Sequence, residues 1–215
     1  MPGFDLRSGL MMLIPLVLSL TVHEFAHAWS ARRLGDDTAS RMGRMTLNPL
    51  AHIDPIGTLL LPLLGIPFGW AKPVPVNPAR FRPGVRMGTG MALTAAAGPA
   101  SNILLALLLS ATFAALERYI PGWLAQGRGI GELLEIMIVL NVNLALFNLL
   151  PIPPLDGSRI VDGFMPQGLR PIWDRLMMLS PLLLLVVFFF AGRIIAGPSR
   201  YVLGLLERFI SALSA

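Results

Sequence analysis

Two imidazoles and a carboxylate fall within five consecutive positions, His23-Glu24-Phe25-Ala26-His27. On a helix, residues four apart lie one turn from each other on the same face. Such an imidazole pair can converge on Zn²⁺, which takes nitrogen ligands at about 2.0–2.1 Å, while the intervening glutamate reaches a water at the ion. This is the H-E-x-x-H pattern of metalloproteases. The chain has three histidines in all, and two of them stand with Glu24 inside an apolar run. Ionisable groups in that setting cost several kcal/mol and are normally kept for function. The bland alternative is that they hydrogen-bond a neighbouring helix and lock its packing.

Two histidines and a water leave tetrahedral zinc one protein ligand short. His52 and Asp156 are the candidates, and Asp54 and Asp162 fit less well. Asp156 closes the stretch Asn148-Leu149-Leu150-Pro151-Ile152-Pro153-Pro154-Leu155-Asp156-Gly157. Its prolines end the third apolar span and turn the chain, so a carboxylate there can point back into the bundle.

The elements that position these groups are membrane helices. Of 215 residues, 54% are hydrophobic and 13% charged, too little polar surface to coat a water-soluble globule of this size. Apolar runs over about 9–31, 87–116, 131–150 and 176–192 are each long enough to cross a hydrocarbon core of roughly 30 Å. The expected architecture is an all-α polytopic membrane protein with about four transmembrane helices in one domain, residues 1–215. Cysteine is absent, which excludes disulfides, thiolate zinc sites and cysteine nucleophiles.

The net charge of +5 does not point to nucleic acid, because the basic residues form no run interleaved with aromatics. Eight of the 17 Lys and Arg stand between the first two apolar runs: Arg32, Arg33, Arg41, Arg44, Lys72, Arg80, Arg82 and Arg86. That loop is expected to be cytoplasmic and the N-terminus external. His27 lies five residues from Arg32 and His23 nine, so the site is expected roughly 8–14 Å below the cytoplasmic surface at 1.5 Å per residue. Arg193, Arg200 and Arg208 would then lie outside, against the positive-inside tendency.

Residues 41–86 carry Asn48-Pro49, Asp54-Pro55, Pro62, Pro67, Pro73, Pro75, Pro78 and Pro83, so a continuous helix is excluded. The apolar piece 56–70 is too short to span and reads as a re-entrant segment, with short β-strands expected near 44–47 and 72–76. At the C-terminus, Val202, Leu205, Leu206, Phe209, Ile210 and Leu213 recur at helical spacing, which predicts an amphipathic helix over about 199–213 lying on the membrane surface.

With these pieces in view, the chain resembles the site-2 protease family of intramembrane zinc metalloproteases. The resemblance rests on His23 through His27, Leu47 through Gly57, Gly69 through Pro78, Ala97-Gly98-Pro99-Ala100-Ser101-Asn102, and Asn148 through Gly157. It implies His23, His27 and Asp156 as ligands of one zinc ion per chain, Glu24 as the general base, and Asn148 and Pro154 as borders of the substrate groove. It implies that the region 41–80 is the family's re-entrant β element, which receives substrate as an added strand. It leaves His52 outside the ligand set, in a structural or gating role. Asn102 has two readings, helix packing or an amide that holds the oxyanion of a substrate, and Asn141 and Asn143 share the ambiguity. No PDZ-like or CBS-like domain accompanies the membrane domain, so the expectation is a minimal member.

The expected activity is hydrolysis of peptide bonds within transmembrane segments, for regulated intramembrane proteolysis in the cell membrane. The expected partners are a single-span protein substrate and the lipid bilayer, with no nucleic acid. Two competing classes are a membrane metal-ion transporter, since intramembrane His and Asp also line ion pathways, and a catalytically silent zinc-binding scaffold.

Overall fold

The computed structural model describes residues 6–64, 69–120, 122 and 128–214. It is 78% helical. The elements that matter are α1 (Leu6–Leu34), α2 (Met87–Tyr119), α3 (Arg128–Asn148), α4 (Asp156–Gly163), α5 (Arg170–Met178) and α6 (Ser180–Ser214). Short turns fill the Pro-rich stretch between α1 and α2: Thr38–Arg41, Pro49–Ala51, Pro55–Leu60, Leu61–Leu63 and Pro78–Arg80.

Three helices are long and apolar enough to cross a membrane, within Met11–Leu34, Met87–Tyr119 and Gly129–Asn148. A fourth crossing is available if the pair Ser180–Val187 and Gly192–Ser214, bent by 61°, is one span. The multi-pass architecture expected from the apolar runs is therefore present.

The packing is written along α2. Gly90, Thr94, Gly98, Asn102, Ala106, Ser110 and Ala114 are all buried and recur every fourth residue, a stripe of small side chains that winds slowly around the helix. Small residues let helix backbones approach closely, which is how membrane helices associate when apolar surface alone gives no preference for protein over lipid. Between these buried positions, Leu93, Leu104 and Leu108 face outward, as a lipid-facing surface requires.

Two expectations need correction. No β-strand forms among the described residues, and a re-entrant segment bearing short strands over 41–80 is not supported. Pro73 and Pro75 lack the N–H a ladder needs. Residues 69–77 form neither helix nor strand, and partners other than a paired strand hold them in place. Residues 65–68 of the apolar piece lie outside the described residues. The second correction concerns the tail: 199–213 is not a separate surface helix but the end of α6. Its apolar face is real, yet Leu206 is buried with Ala106, Ile138 and Val142, with Val202 and Leu203 against them. The stripe thus meets α2 and α3.

Candidate metal centre

α1 brings His23 and His27 together as their spacing dictates, with Nε2 atoms 3.0 Å apart and rings edge to face. What holds the rings comes from α2. His27 Nδ1 is 2.7 Å from the carbonyl oxygen of Thr94, which can only accept, so Nδ1 carries the proton. His23 Nδ1 is 2.6 Å from Asn102 Oδ1. The Asn102 amide nitrogen donates to Asn141 Oδ1 at 2.8 Å and to the Ser19 carbonyl at 3.3 Å, which fixes its oxygen toward His23. With both Nδ1 atoms protonated, both Nε2 atoms present lone pairs. Gly98 lies flat against the pair: a Cβ there would sit 2.5 Å from His27 Nε2 and 2.6 Å from His23 Cε1.

Asp156 arrives from the far side of the bundle. α3 ends at Asn148, the prolines turn the chain, and α4 starts at Asp156. Gly157 makes the turn possible, since a Cβ there would collide with the carbonyl oxygens of Leu149 and Leu150. Asp156 Oδ2 stands 3.1 Å from His23 Nε2 and 3.3 Å from His27 Nε2. It is buried without a hydrogen-bond donor. Burial raises the Asp156 carboxyl, but when no cation is held there, imidazoles that are protonated and donate to it outweigh burial and hold it below the usual carboxylate range.

With both imidazoles neutral, three acceptor atoms point at one another, an arrangement that calls for a cation at the centre. Tetrahedral ligands at about 2.0–2.1 Å from zinc are separated by roughly 3.3 Å, close to the observed triangle. One nitrogen of each imidazole is held by a protein oxygen, as metal-ligating histidines require. The donor set fits zinc, with His23, His27 and Asp156 as the residues that would hold it.

Glu24 is buried, and its Oε2 accepts from the backbone N–H of Val74 at 2.8 Å. Val74 belongs to the irregular segment 69–77, which is pinned at several points along its backbone. Trp70 N donates to the Gly57 carbonyl at 3.3 Å, and Thr58 Oγ1 donates to the Trp70 carbonyl at 2.7 Å. Lys72 N donates to the His52 carbonyl at 2.9 Å, and Arg44 donates to the Lys72 carbonyl at 2.6 Å. Asn77 N donates to buried Asp36 at 2.6 Å.

The remaining candidates separate cleanly. Asn102 is fully buried with both ends of its amide engaged inside the bundle and its oxygen against His23. Asn141 belongs to the same network and donates to Ser19 Oγ at 2.8 Å; Asn143 accepts from Ser199 Oγ at 2.7 Å. Asn148 donates to the Leu144 carbonyl at 3.0 Å and Pro154 is exposed on the turn before Asp156; neither hydrogen-bonds His23, Glu24, His27 or Asp156. His52 is buried, with Nε2 donating to the Thr46 carbonyl at 2.9 Å, a structural placement. Asp54 caps the turn at Pro55–Leu60, and Asp162 pairs with Arg170. Sequence reasoning missed Thr94 and Val74, which act through backbone atoms that any residue type supplies. It also missed the contact of Gly98 with the imidazoles, although Gly98 stood within a quoted motif.

Fold and site together define a class: a multi-pass membrane protein carrying the donor set of a metalloprotease. Residues 121–188, which include Asp156, match the model of peptidase family M50. The chain is 44% identical over 160 residues to "Putative zinc metalloprotease YwhC" of Bacillus subtilis, covering 74% of this chain and 71% of that protein. Relatives with the same description are Rip2 of Mycolicibacterium smegmatis, 35% identical over 66% of this chain and 52% of its own length, and Rip2 of Mycobacterium tuberculosis, 32% identical over 77% and 60%. No solved structure matches. The chain belongs to peptidase family M50, the site-2 protease family.

Proposed function

We propose that this protein is an intramembrane zinc endopeptidase that hydrolyses peptide bonds within the transmembrane segments of single-span membrane proteins. The observation that carries the reading is the convergence of His23 Nε2, His27 Nε2 and Asp156 Oδ2 to within 3.3 Å of one another, one residue from a buried glutamate. The relatives' printed names point the same way.

His23, His27 and Asp156 would hold a zinc ion, which would supply Lewis acidity toward a scissile carbonyl and a water. The protein's own groups do the rest. Thr94 and Asn102 orient the imidazoles. Val74 N–H engages one oxygen of Glu24, so the other oxygen takes the proton from the attacking water and returns it to the leaving amine nitrogen. The C–N bond breaks, and a carboxylic acid and an amine separate.

A substrate helix must unwind before its carbonyl is reachable, because helical carbonyls are hydrogen-bonded and sterically covered, so cleavage falls in segments weakened by Gly, Pro or polar residues. Asn148 and Pro154 border the entry on the α3–α4 side. The site faces the cytoplasmic half of the cell membrane, the side on which the Arg-rich loop after α1 lies.

The test is cleavage of a single-span reporter by protein reconstituted in vesicles. Glu24→Gln keeps metal content at the wild-type level and abolishes cleavage. Full cleavage by that variant contradicts the base assignment, and metal flux into the vesicles without proteolysis by the wild type contradicts the protease reading.

A further inference from the structure

At the Arg-rich end of α1 the structure holds an open cavity of about 690 Å³ lined by Trp29, Arg32, Arg33, Gly35, Met45 and Arg82. Three guanidinium-bearing residues meet there, and their meeting is built in. Gly35, with φ of 115°, has no side chain to obstruct the loop, and a Cβ there would strike the Arg82 backbone. Arg82 N consequently donates to the Leu34 carbonyl at 2.8 Å, which brings a residue from far down the chain beside Arg32 and Arg33.

Three like charges at one cavity repel unless something neutralises them. The protein does not do so. Among the described residues no carboxylate pairs with Arg32, Arg33 or Arg82; Asp37 is taken by Arg41 and Arg80, and Asp36 by Thr38 and Asn77. The exposed carbonyls of the helix end do not account for the cations either, because Gly35 N, Asp36 N and Arg82 N already cap Arg32, Ala31 and Leu34. Arg32 makes only long contacts to Ser40 Oγ at 3.4 Å and Met45 sulfur at 3.8 Å. Arg33 rests over the Trp29 ring at 5.0 Å.

We infer that this cavity binds the phosphate of an anionic lipid headgroup. Guanidinium forks match phosphate oxygens in geometry and charge, and basic pockets beside membrane helices are where such headgroups bind. The lipid is favoured over a soluble phosphate by position. The cavity lies at the end of an apolar span, and half-exposed Trp29 on its wall is the residue type that sits at the headgroup level. No residue of the metal centre lines the cavity.

The experiment measures retention of phosphatidylglycerol by the full chain, purified in detergent, using native mass spectrometry, with inorganic phosphate as the soluble arm. Wild type retains phosphatidylglycerol over phosphatidylcholine, and each arginine lost in Arg33→Gln/Arg82→Gln weakens retention about fivefold, the factor one basic residue near an anionic surface contributes. Arg33→Lys/Arg82→Lys keeps the charge and most of the retention. Arg118→Gln/Arg200→Gln, the same charge change away from the cavity, leaves it unchanged. Equal loss in that control pair, or unchanged retention in Arg33→Gln/Arg82→Gln, overturns the inference. So does binding of inorganic phosphate that depends on the same arginines while phosphatidylglycerol shows no preference.

Discussion

The backbone N–H of Val74 donates to Glu24 Oε2 at 2.8 Å, across 50 residues of sequence. Val74 stands between Pro73 and Pro75, neither of which has an N–H to offer. The alternation therefore places a single donor opposite the carboxylate, on a backbone already stiff in the extended form.

That relationship predicts an unusual outcome for proline. Val74→Pro suits an extended pre-proline position but deletes the donor. It should lower single-turnover cleavage about 10- to 100-fold, the worth of a hydrogen bond to a charged group, with zinc content unchanged. Val74→Ala, which keeps the N–H, should stay within about twofold of wild type. Equal activity of the two variants would mean that the peptide group does not position Glu24.

Asn102→Ala removes the acceptor that orients His23. Loss of such a partner typically weakens metal binding by about 10- to 100-fold, measurable by competition with a chelator of known affinity. If affinity were unchanged while turnover fell, the amide would be acting on substrate instead, the other reading its sequence position allowed.

Gly98→Ala should be far more damaging than its size suggests. The new methyl would stand 2.5 Å from His27 Nε2, so the imidazoles must move and zinc should be lost. Gly129→Ala, in open space near the start of α3, should be neutral or slightly stabilising. Zinc analysis and thermal unfolding of the two variants in detergent check both statements.

In chelator-treated protein, acid should act through Asp156. Its folded-state carboxyl lies below the ordinary value of 3.8, so its contribution to stability is present above that value and is lost as pH falls through the lower folded-state value. The stability gap between wild type and Asp156→Asn should therefore narrow between pH 5 and pH 3. A gap that widens with acid would reverse the sign.

Much of this site could be read before any coordinates. His23, Glu24 and His27 share a helix, so their mutual geometry follows from local periodicity alone. Asp156 depended on a proline turn whose direction the sequence suggested and Gly157 enforces by packing against the carbonyls of Leu149 and Leu150, just past α3. The strands expected at 72–76 failed because extended preference does not supply a pairing partner; Glu24, Arg44 and Asp36 satisfy that backbone instead. The amphipathic stripe ending at Leu213 was legible, but periodicity cannot say whether an apolar face meets lipid or protein. The Thr94 carbonyl left no trace, since the backbone is the same at every position.

The most direct measurement is the zinc content of the purified chain and of Asp156→Ala. Near one zinc per wild-type chain, falling to background in the variant while the helical content is kept, is the result predicted by three donors from α1 and α4 sharing one ion. A full complement of zinc in Asp156→Ala, with none lost to a chelator that strips neither protein, would contradict it.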